Sequence, residues 1–310
     1  HIDVREAYWL WLGNDVEFLA GINKVFWGVA ESRHLVNIIN QTDAVEDIDG
    51  EDYLGQPMIN ITTQQDWGRL GVYALPYFRE RTFSGSDGRF RGPLVVDTDN
   101  ARYESGAKEH HIDFALRYSH YFGNWDVGLS AFRGTDREPV LSVNNTGTKL
   151  IPTYNLINQA GADIQYTQDG WLWKFEGIIR EGQGDTFTAA VGGLEYTFYQ
   201  INDDAWDLGV LAEYQYDGRD HSAPSTISDK DIFVGARLAL NDIQDTSILA
   251  GMTFDTETYE QFYNFEAERR IGENYSLEIR ARFLSGSDIG DDTYPLSRDD
   301  YIQLRFSRFF

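Results

Sequence analysis

Charged side chains recur at every second position in several segments, a spacing that could line one face of a sheet with charges. In YSLEIRARF, Glu278, Arg280 and Arg282 alternate with apolar residues. Because successive side chains of a β-strand point to opposite faces, such a segment has one polar and one apolar face. Polar faces set side by side could attract and filter ions or small polar solutes.

The same alternation elsewhere assigns further charges to a common polar face. Two interpretations fit this mixed lining: a selectivity field for passing solutes, or salt bridges that fill and stiffen the interior. Five arginines (79, 81, 280, 282 and 305) would form a basic wall that attracts anions, although the net charge of −24 opposes this. The predicted lining bases are Arg79, Arg81, Arg117, Arg180, Arg280, Arg282 and Arg305, and the predicted lining acids are Asp113, Asp163, Glu176, Glu213 and Glu278.

The long polar stretch 28–56 is the best candidate for a constriction of such a lining. Its VAESRHLVNIIN segment could form a short helix, and we expect Glu31, Arg33, Asp47 and Asp49 to face inward. The alternative is a loop that only covers the outer mouth. AVEDIDGEDY places five carboxylates around Gly50 but lacks a full calcium-loop pattern, so a solvated acidic loop is expected there, with no metal.

Residues that could perform hydrolysis are present but are not accompanied by a catalytic motif. His110 and His111 precede Asp113, and Ser32 lies near His34, yet no G-x-S-x-G motif occurs. The chain contains no cysteine, which excludes disulfides and cysteine-ligated metals. We therefore expect neither an enzyme nor a cofactor.

The composition excludes one class of partner and narrows the fold. With 50 acidic and 26 basic side chains, the chain lacks the basic character of a nucleic-acid binder. Aromatic residues reach 15% and hydrophobic residues 42%, yet the mean hydropathy is −0.44. No apolar run is long enough for a transmembrane helix. A polar chain so rich in aromatic residues is typical of alternating strands.

Short turns alternate with long polar stretches along the chain. Trp125, Trp171, Trp206 and Tyr275 each follow a turn. Short turns at one end, long loops at the other and an aromatic girdle are the signature of a transmembrane β-barrel. A soluble β-sandwich or propeller would leave the placement of the aromatic residues unexplained. The tight turns are 121–126, 166–172, 240–247 and 270–276, and the long stretches are 28–56, 84–109, 135–153, 218–229 and 287–298.

We thus predict an all-β fold: one transmembrane antiparallel β-barrel over residues 1–310, with short periplasmic turns and long extracellular loops. Single-chain bacterial barrels have an even strand number. Sixteen strands, the first upstream of His1, is the main prediction, and 14 is the alternative. The fifteen segments that we identify begin near Val4, Val16, Met58, Leu70, His111, Trp125, Ile157, Trp171, Thr186, Trp206, Asp231, Thr246, Glu260, Tyr275 and Asp300.

The final segment YIQLRFSRFF resembles the C-terminal strand of Gram-negative outer-membrane proteins, which typically ends on Phe. Its outward set would be Ile302, Leu304, Phe306, Arg308 and Phe310, with Arg308 departing from the usual apolar residue. The phrases VFWGVAESRHLVNIINQTD, LGQPMINI, LPYFRERTFSGSDGRFR and DNARYESGAKEHHIDFALRYSH resemble porin-like outer-membrane proteins of Gram-negative proteobacteria. The resemblance implies an outer-membrane barrel with a passage role, and it transfers no site residues.

The main functional expectation is a porin-like channel in the outer membrane of a Gram-negative bacterium, for passive diffusion of small polar or ionic solutes. Its surroundings would be outer-membrane lipid and lipopolysaccharide, and a homotrimer would be typical of this size. The first alternative is a structural or partner-binding barrel with a plugged lumen. A transporter of hydrophobic substrates is less favoured, because the expected lining is polar.

Overall fold

The computed structural model describes residues 3–201, 205–291 and 293–309. Within these ranges the chain forms strands and three short 3₁₀ helices, Thr98–Asn100, Lys108–His110 and Tyr294–Leu296. The strands are β1 (Ala7–Leu12), β2 (Val16–Asn23), β3 (Gln56–Gln65), β4 (Gly68–Leu75), β5 (Val95–Val96), β6 (Arg102–Tyr103), β7 (Asp113–Phe122), β8 (Trp125–Thr135), β9 (Val140–Val143), β10 (Lys149–Tyr154), β11 (Leu156–Gln168), β12 (Trp171–Glu181), β13 (Phe187–Ile201), β14 (Trp206–Asp217), β15 (Asp231–Ala239), β16 (Ser247–Asp255), β17 (Gln261–Ile271), β18 (Tyr275–Ser285) and β19 (Tyr301–Arg308).

Fifteen of these strands form one antiparallel sheet in chain order, from β1 to β19 without β5, β6, β9 and β10. The predicted all-β antiparallel fold is therefore confirmed. Each of the fifteen predicted segments is present, and the largest shift in its start is from Val4 to Ala7. Period-two alternation and turn residues are local signals, which is why they located these strands.

The closure and the strand number predicted for the barrel are not confirmed. β1 and β19 are the two edges of the sheet, and no pairing between them occurs in the described residues. The described residues contribute 15 strands to this sheet, so a total of 16, with the first strand upstream of His1, stays a prediction. Ile302, Leu304, Phe306 and Arg308 do point outward, as expected. Phe310, the last of that predicted set, lies outside the described residues.

The connections follow the predicted asymmetry between the two ends of the sheet. Short turns join β1 to β2, β3 to β4, β7 to β8 and β11 to β12, whereas long loops join β2 to β3 and β4 to β7. Two of the predicted loops contain further strands. β10 pairs with β5 and β6 in parallel and with β9 in antiparallel, forming a small second sheet at the long-loop end.

The outer face of the large sheet is apolar and is edged by aromatic pairs near the short turns. Along β12, Trp171, Trp173 and Phe175 are exposed, whereas Lys174 and Glu176 are buried on the other face. The rings of Trp171 and Tyr196 lie 4.6 Å apart, and similar contacts join Trp67 to Tyr118, Trp125 to Tyr166 and Tyr275 to Phe306. The described residues include no helix with the length and apolar character required to cross a bilayer.

The inner face of the sheet surrounds the connection between β2 and β3, hereafter the inward loop (residues 24–55). Strands far apart in the sheet, such as β4, β12 and β18, contact this same loop, so the sheet is curled around it. Its Trp27, Leu35, Val36, Ile38 and Ile39 form the core with apolar residues of the wall. The predicted short helix is absent here, because backbone N–H groups of the loop donate to wall carboxylates instead of to carbonyls of a preceding turn.

Candidate functional site

Two glutamates of the wall hold the backbone of the first half of the inward loop (residues 24–40). Glu176 of β12 accepts hydrogen bonds from the N–H groups of Val29 (2.7 Å), Ala30 (2.9 Å) and Val36 (3.2 Å). Its side chain is fully buried. A buried carboxylate is stable when several donors surround it. The carboxylate of Glu176, which the sequence assigned to the lining, therefore binds the loop instead of facing an open channel.

Glu213 of β14 does the same for the next residues of the loop. It accepts from the N–H groups of Glu31 and Ser32, each at 2.8 Å, and from the Ser32 hydroxyl at 2.6 Å. Glu213 is buried as well. Two carboxylates on alternate strands thus fix consecutive residues of the loop, and these bonds do not require any charge on the loop.

Side chains of the first half add ion pairs to the wall. Arg33 donates to Asp217 (2.8 Å) and to the carbonyl of Ser228 (2.6 Å). Glu31 accepts from Arg237 at 2.5 Å, and the Lys174 ammonium lies 3.8 Å from it. The two residues predicted to face inward here, Glu31 and Arg33, therefore bridge from the loop to the sheet.

His34 lies between the two halves of the loop and the wall. Its Nε2 atom lies 3.2 Å from Glu51, and its Nδ1 atom lies 3.8 Å from Glu176. Burial opposes a charge on the ring, but the two carboxylates outweigh it and raise the pKa of His34 to about 10. The imidazolium therefore connects a loop acid to a wall acid at neutral pH.

The second half of the inward loop (residues 41–54) is held by arginines of β18. Arg282 is fully buried and donates to Asp49 (2.5 Å), Asp47 (3.3 Å) and Glu266 (2.5 Å). Burial and the charge of Asp47 together raise the pKa of Asp49 to about 6, against the opposing effect of Arg282. The acidic stretch 44–53 is thus not the solvated loop that the sequence suggested, because its acids neutralise arginines inside the sheet.

Two further arginines complete this contact. Arg280 donates to Asp52 at 3.0 Å and pairs with Glu278, and Arg305 of β19 pairs with Glu46 and lies 3.6 Å from Glu278. Three members of the predicted basic wall do lie together, but loop and wall carboxylates neutralise them. An uncompensated anion-attracting surface is therefore not what these residues form.

Four further predicted lining residues lie in three places. Arg117 pairs with Asp163 at 2.8 Å across the wall. Arg180 donates to Gln159 at 2.8 Å and lies 3.5 Å from Asp136. Asp113 accepts from Arg137 at 2.8 Å, and Arg137 in turn donates to the carbonyl of Ile39, also at 2.8 Å.

Arg79 and Arg81, two further members of the predicted basic wall, lie outside the strands, because β4 ends at Leu75. They lie in the following loop, where Arg79 donates to Asp3 (2.7 Å) and to the carbonyl of Gly55 (2.9 Å). The backbone N–H of Arg81 donates to the hydroxyl of Tyr154 at 3.1 Å. Both arginines are thus separate from the cluster of Arg280, Arg282 and Arg305.

A cavity of about 730 Å³ remains between the inward loop and the inner faces of β11 to β18. Ligand sites of this size typically combine apolar surface with a few polar groups that fix orientation. The aromatic part of this cavity was not predicted from the sequence, because single rings on a polar face give no periodic signal. Its lining includes Phe26, Phe233 and Phe262 together with Lys174, Arg237, Arg280, Gln165, Gln215, Asn264 and several carboxylates.

Comparison with known proteins supports the fold and little beyond it. The structure is similar to that of Wzi from Escherichia coli, described as an outer-membrane protein involved in group 1 capsule assembly and as a carbohydrate-binding β-barrel. The TM-score is 0.54 at 10% identity, over 97% of this chain and 68% of Wzi. No family model matches the sequence. A search of curated proteins finds no relative either. The chain therefore has an all-β antiparallel fold that resembles the β-barrel of Wzi.

Proposed function

We propose that this chain is an outer-membrane β-barrel of a Gram-negative bacterium that acts as a structural or partner-binding barrel, with its lumen closed by its own loop. The observation that carries this proposal is the attachment of the inward loop by Glu176 and Glu213. Both carboxylates are buried, and they face the interior that an open channel would leave to water. An apolar outer face with aromatic pairs near the short turns supports the membrane location.

The partner that we propose is a carbohydrate, bound in the cavity beside the inward loop. Wzi, which has a similar fold, is described as carbohydrate-binding. The cavity offers both hydrogen-bond donors and hydrogen-bond acceptors to the hydroxyl groups of a sugar. Lys174 and Arg237 supply donors, and the side-chain amides of Gln215 and Asn264 supply donors and acceptors. The ring of Phe262 adds an apolar surface on which one face of a sugar could rest.

The geometry does not favour hydrolysis by this site. Ser32 donates its hydroxyl hydrogen to Glu213, and His34 is paired with Glu51, so each is bound to an acid rather than to the other. We therefore keep the proposal of a non-enzymatic barrel. Lipopolysaccharide and outer-membrane lipid as surroundings, and a homotrimeric assembly, likewise remain proposals.

Single-channel conductance in planar bilayers separates the closed barrel from the diffusion porin. We expect the full-length protein to show no stable open steps, because the inward loop occupies the lumen. Replacing residues 28–53 by a short glycine-serine linker should produce steps on the order of 0.1–1 nS, as expected for a water-filled barrel. Stable steps of that size from the full-length protein would reject the closed barrel in favour of passive diffusion of small polar or ionic solutes.

Binding of the carbohydrate is tested on the same full-length protein by calorimetry with a panel of cell-surface oligosaccharides. Phe262→Ala and Gln215→Ala should weaken binding, because both residues line the cavity. Phe198→Ala on the outer face is the matched control, since Phe198 is exposed and lies on the opposite side of the sheet. If Phe262→Ala and Phe198→Ala bind equally well, the cavity is not the binding site.

A further inference from the structure

Three carboxylates converge at the long-loop end of the hairpin formed by β15 and β16. Asp229 lies just before β15, Asp231 is its first residue, and Asp255 is the last residue of β16. One carboxylate oxygen from each lies within 4.8 Å of the other two. Asp231 and Asp255 are direct partners in the antiparallel register, so the hairpin itself brings two of the three charges together.

Asp231 is buried, and one of its two carboxylate oxygens has no donor among the described residues. Its side chain is 1% exposed, and in the part of the chain that the structure describes its Oδ2 atom has no hydrogen-bond partner. Two bases of this region, Arg33 of the inward loop and the adjacent Lys230, pair with other groups. Arg33 donates to Asp217. Lys230 pairs with Glu257. A buried carboxylate oxygen with no donor is strongly unfavourable, so either a proton or a bound cation must neutralise this group.

We propose that Asp229, Asp231 and Asp255 bind a calcium ion that fastens the loop before β15 to the end of β16. Ca²⁺ takes carboxylate and carbonyl oxygens at about 2.3–2.6 Å, so two of its ligands lie at most about 5 Å apart, which the observed spacing satisfies. Asp231, Asp255 and Glu260 also line the cavity, so water or a bound ligand can complete the coordination. The inference goes beyond the proposed function and does not require a closed lumen.

The test is calcium binding by the purified full-length protein in detergent after treatment with EDTA, measured by calorimetry. We expect one site with a dissociation constant on the order of 0.1–1 mM, typical of extracellular calcium modules. Asp231→Asn should weaken binding by about tenfold or more, because the site loses a charged ligand. Asp185→Asn is the matched control, because Asp185 is an exposed loop acid. This variant should bind calcium as the unmodified protein does.

Thermal unfolding supplies an independent readout. Calcium should raise the unfolding temperature of the unmodified protein and of Asp185→Asn, but not that of Asp231→Asn. Without calcium, Asp231→Asn should be at least as stable as the unmodified protein, because it removes repulsion between buried acids. If Asp231→Asn does not fold, Asp229→Asn, in the loop, decides by the same two measurements. Two results would overturn the proposal. One is unchanged calcium binding in the folded variant, and the other is no binding by the unmodified protein at a calcium concentration about ten times the upper expected dissociation constant of ~1 mM.

Discussion

The two halves of the inward loop are attached to the same wall by different chemistry. The first half (residues 24–40) offers neutral N–H groups to the buried carboxylates Glu176 and Glu213, and it adds an apolar core. The second half (residues 41–54) offers carboxylates to buried arginines, chiefly Arg282. Neutral donors keep their bonds at any pH at which the wall acids are ionised, whereas paired charges on both sides can be titrated or screened. The first half should therefore be the firmer attachment.

The largest effect should come from Glu176→Ala. This change removes the acceptor of three backbone N–H groups and leaves the charged His34 without its wall partner. Loss of a buried, hydrogen-bonded charge should lower the free energy of unfolding by about 3–5 kcal/mol. Urea unfolding in lipid vesicles, followed by tryptophan fluorescence, measures it.

Glu181→Ala is the control for that change, because Glu181 is exposed at the end of the same strand. It should alter the free energy of unfolding by about 0.5 kcal/mol or less. Equal stability of the two variants would show that the loop is not held by Glu176, and the contrast between the halves would then be lost.

A smaller effect is expected for Arg282→Ala, which releases the second half. The change removes a donor from Asp47, Asp49 and Glu266. Arg280 remains 3.4 Å from Asp47, and the raised pKa of Asp49 makes its protonation easier. We expect the free energy of unfolding to fall by about 1–3 kcal/mol. Protease cleavage within residues 43–53 should become faster, while residues 29–36 stay protected. Cleavage in both segments would mean that the two halves are released together.

The pH dependence tests the connection between the halves. His34 faces Glu51 of the second half, Glu176 of the wall and the ring of Phe26. Since its pKa rises from 6.5 to about 10 on folding, the stabilisation is fully present below pH 6.5 and declines as the pH rises toward 10, because the unfolded state has released a proton that the folded state still binds. Stability should therefore decrease over this window, by at most about 1.4 kcal/mol per pH unit for one proton.

His34→Gln is the variant that isolates this effect, because it keeps a hydrogen-bonding side chain without a titrating ring. Unfolding free energies measured from pH 6.5 to 10 should slope downward for the unmodified protein and be flatter for His34→Gln. Parallel curves would exclude His34 as the group that connects the two halves.

The sequence predicted the strands well and the site only in part, for a physical reason. Alternation within YSLEIRARF or WDLGVLAEYQY is a local signal, and so are the turn residues beside Trp125 and Trp171. The pairing of Arg33 with Asp217 joins residues 184 positions apart, and no spacing along the chain encodes it. No local pattern therefore indicates that the loop acids neutralise the wall arginines.

Smaller features that were not predicted from the sequence also depend on pairing between distant residues. β5 and β6 contain two residues each, too short for any periodicity, and they exist only because β10 pairs with both. The triad of Asp229, Asp231 and Asp255 arises only when the register of β15 and β16 is known. Such features require the tertiary pairing itself.

The smallest effect should follow from Arg305→Ala, which tests whether burial rather than the number of ion pairs decides the strength of the second half. Arg305 pairs with two carboxylates, Glu46 and Glu278, and Arg282 pairs with three. The side chain of Arg305 is 36% exposed, whereas that of Arg282 is fully buried. Water and salt screen an exposed pair, so the free energy of unfolding should fall by only about 0–1 kcal/mol. Urea unfolding at low and high salt measures this. A loss as large as that of Arg282→Ala would mean that the count of pairs matters more than burial, and the second half of the loop would then be held along both β18 and β19.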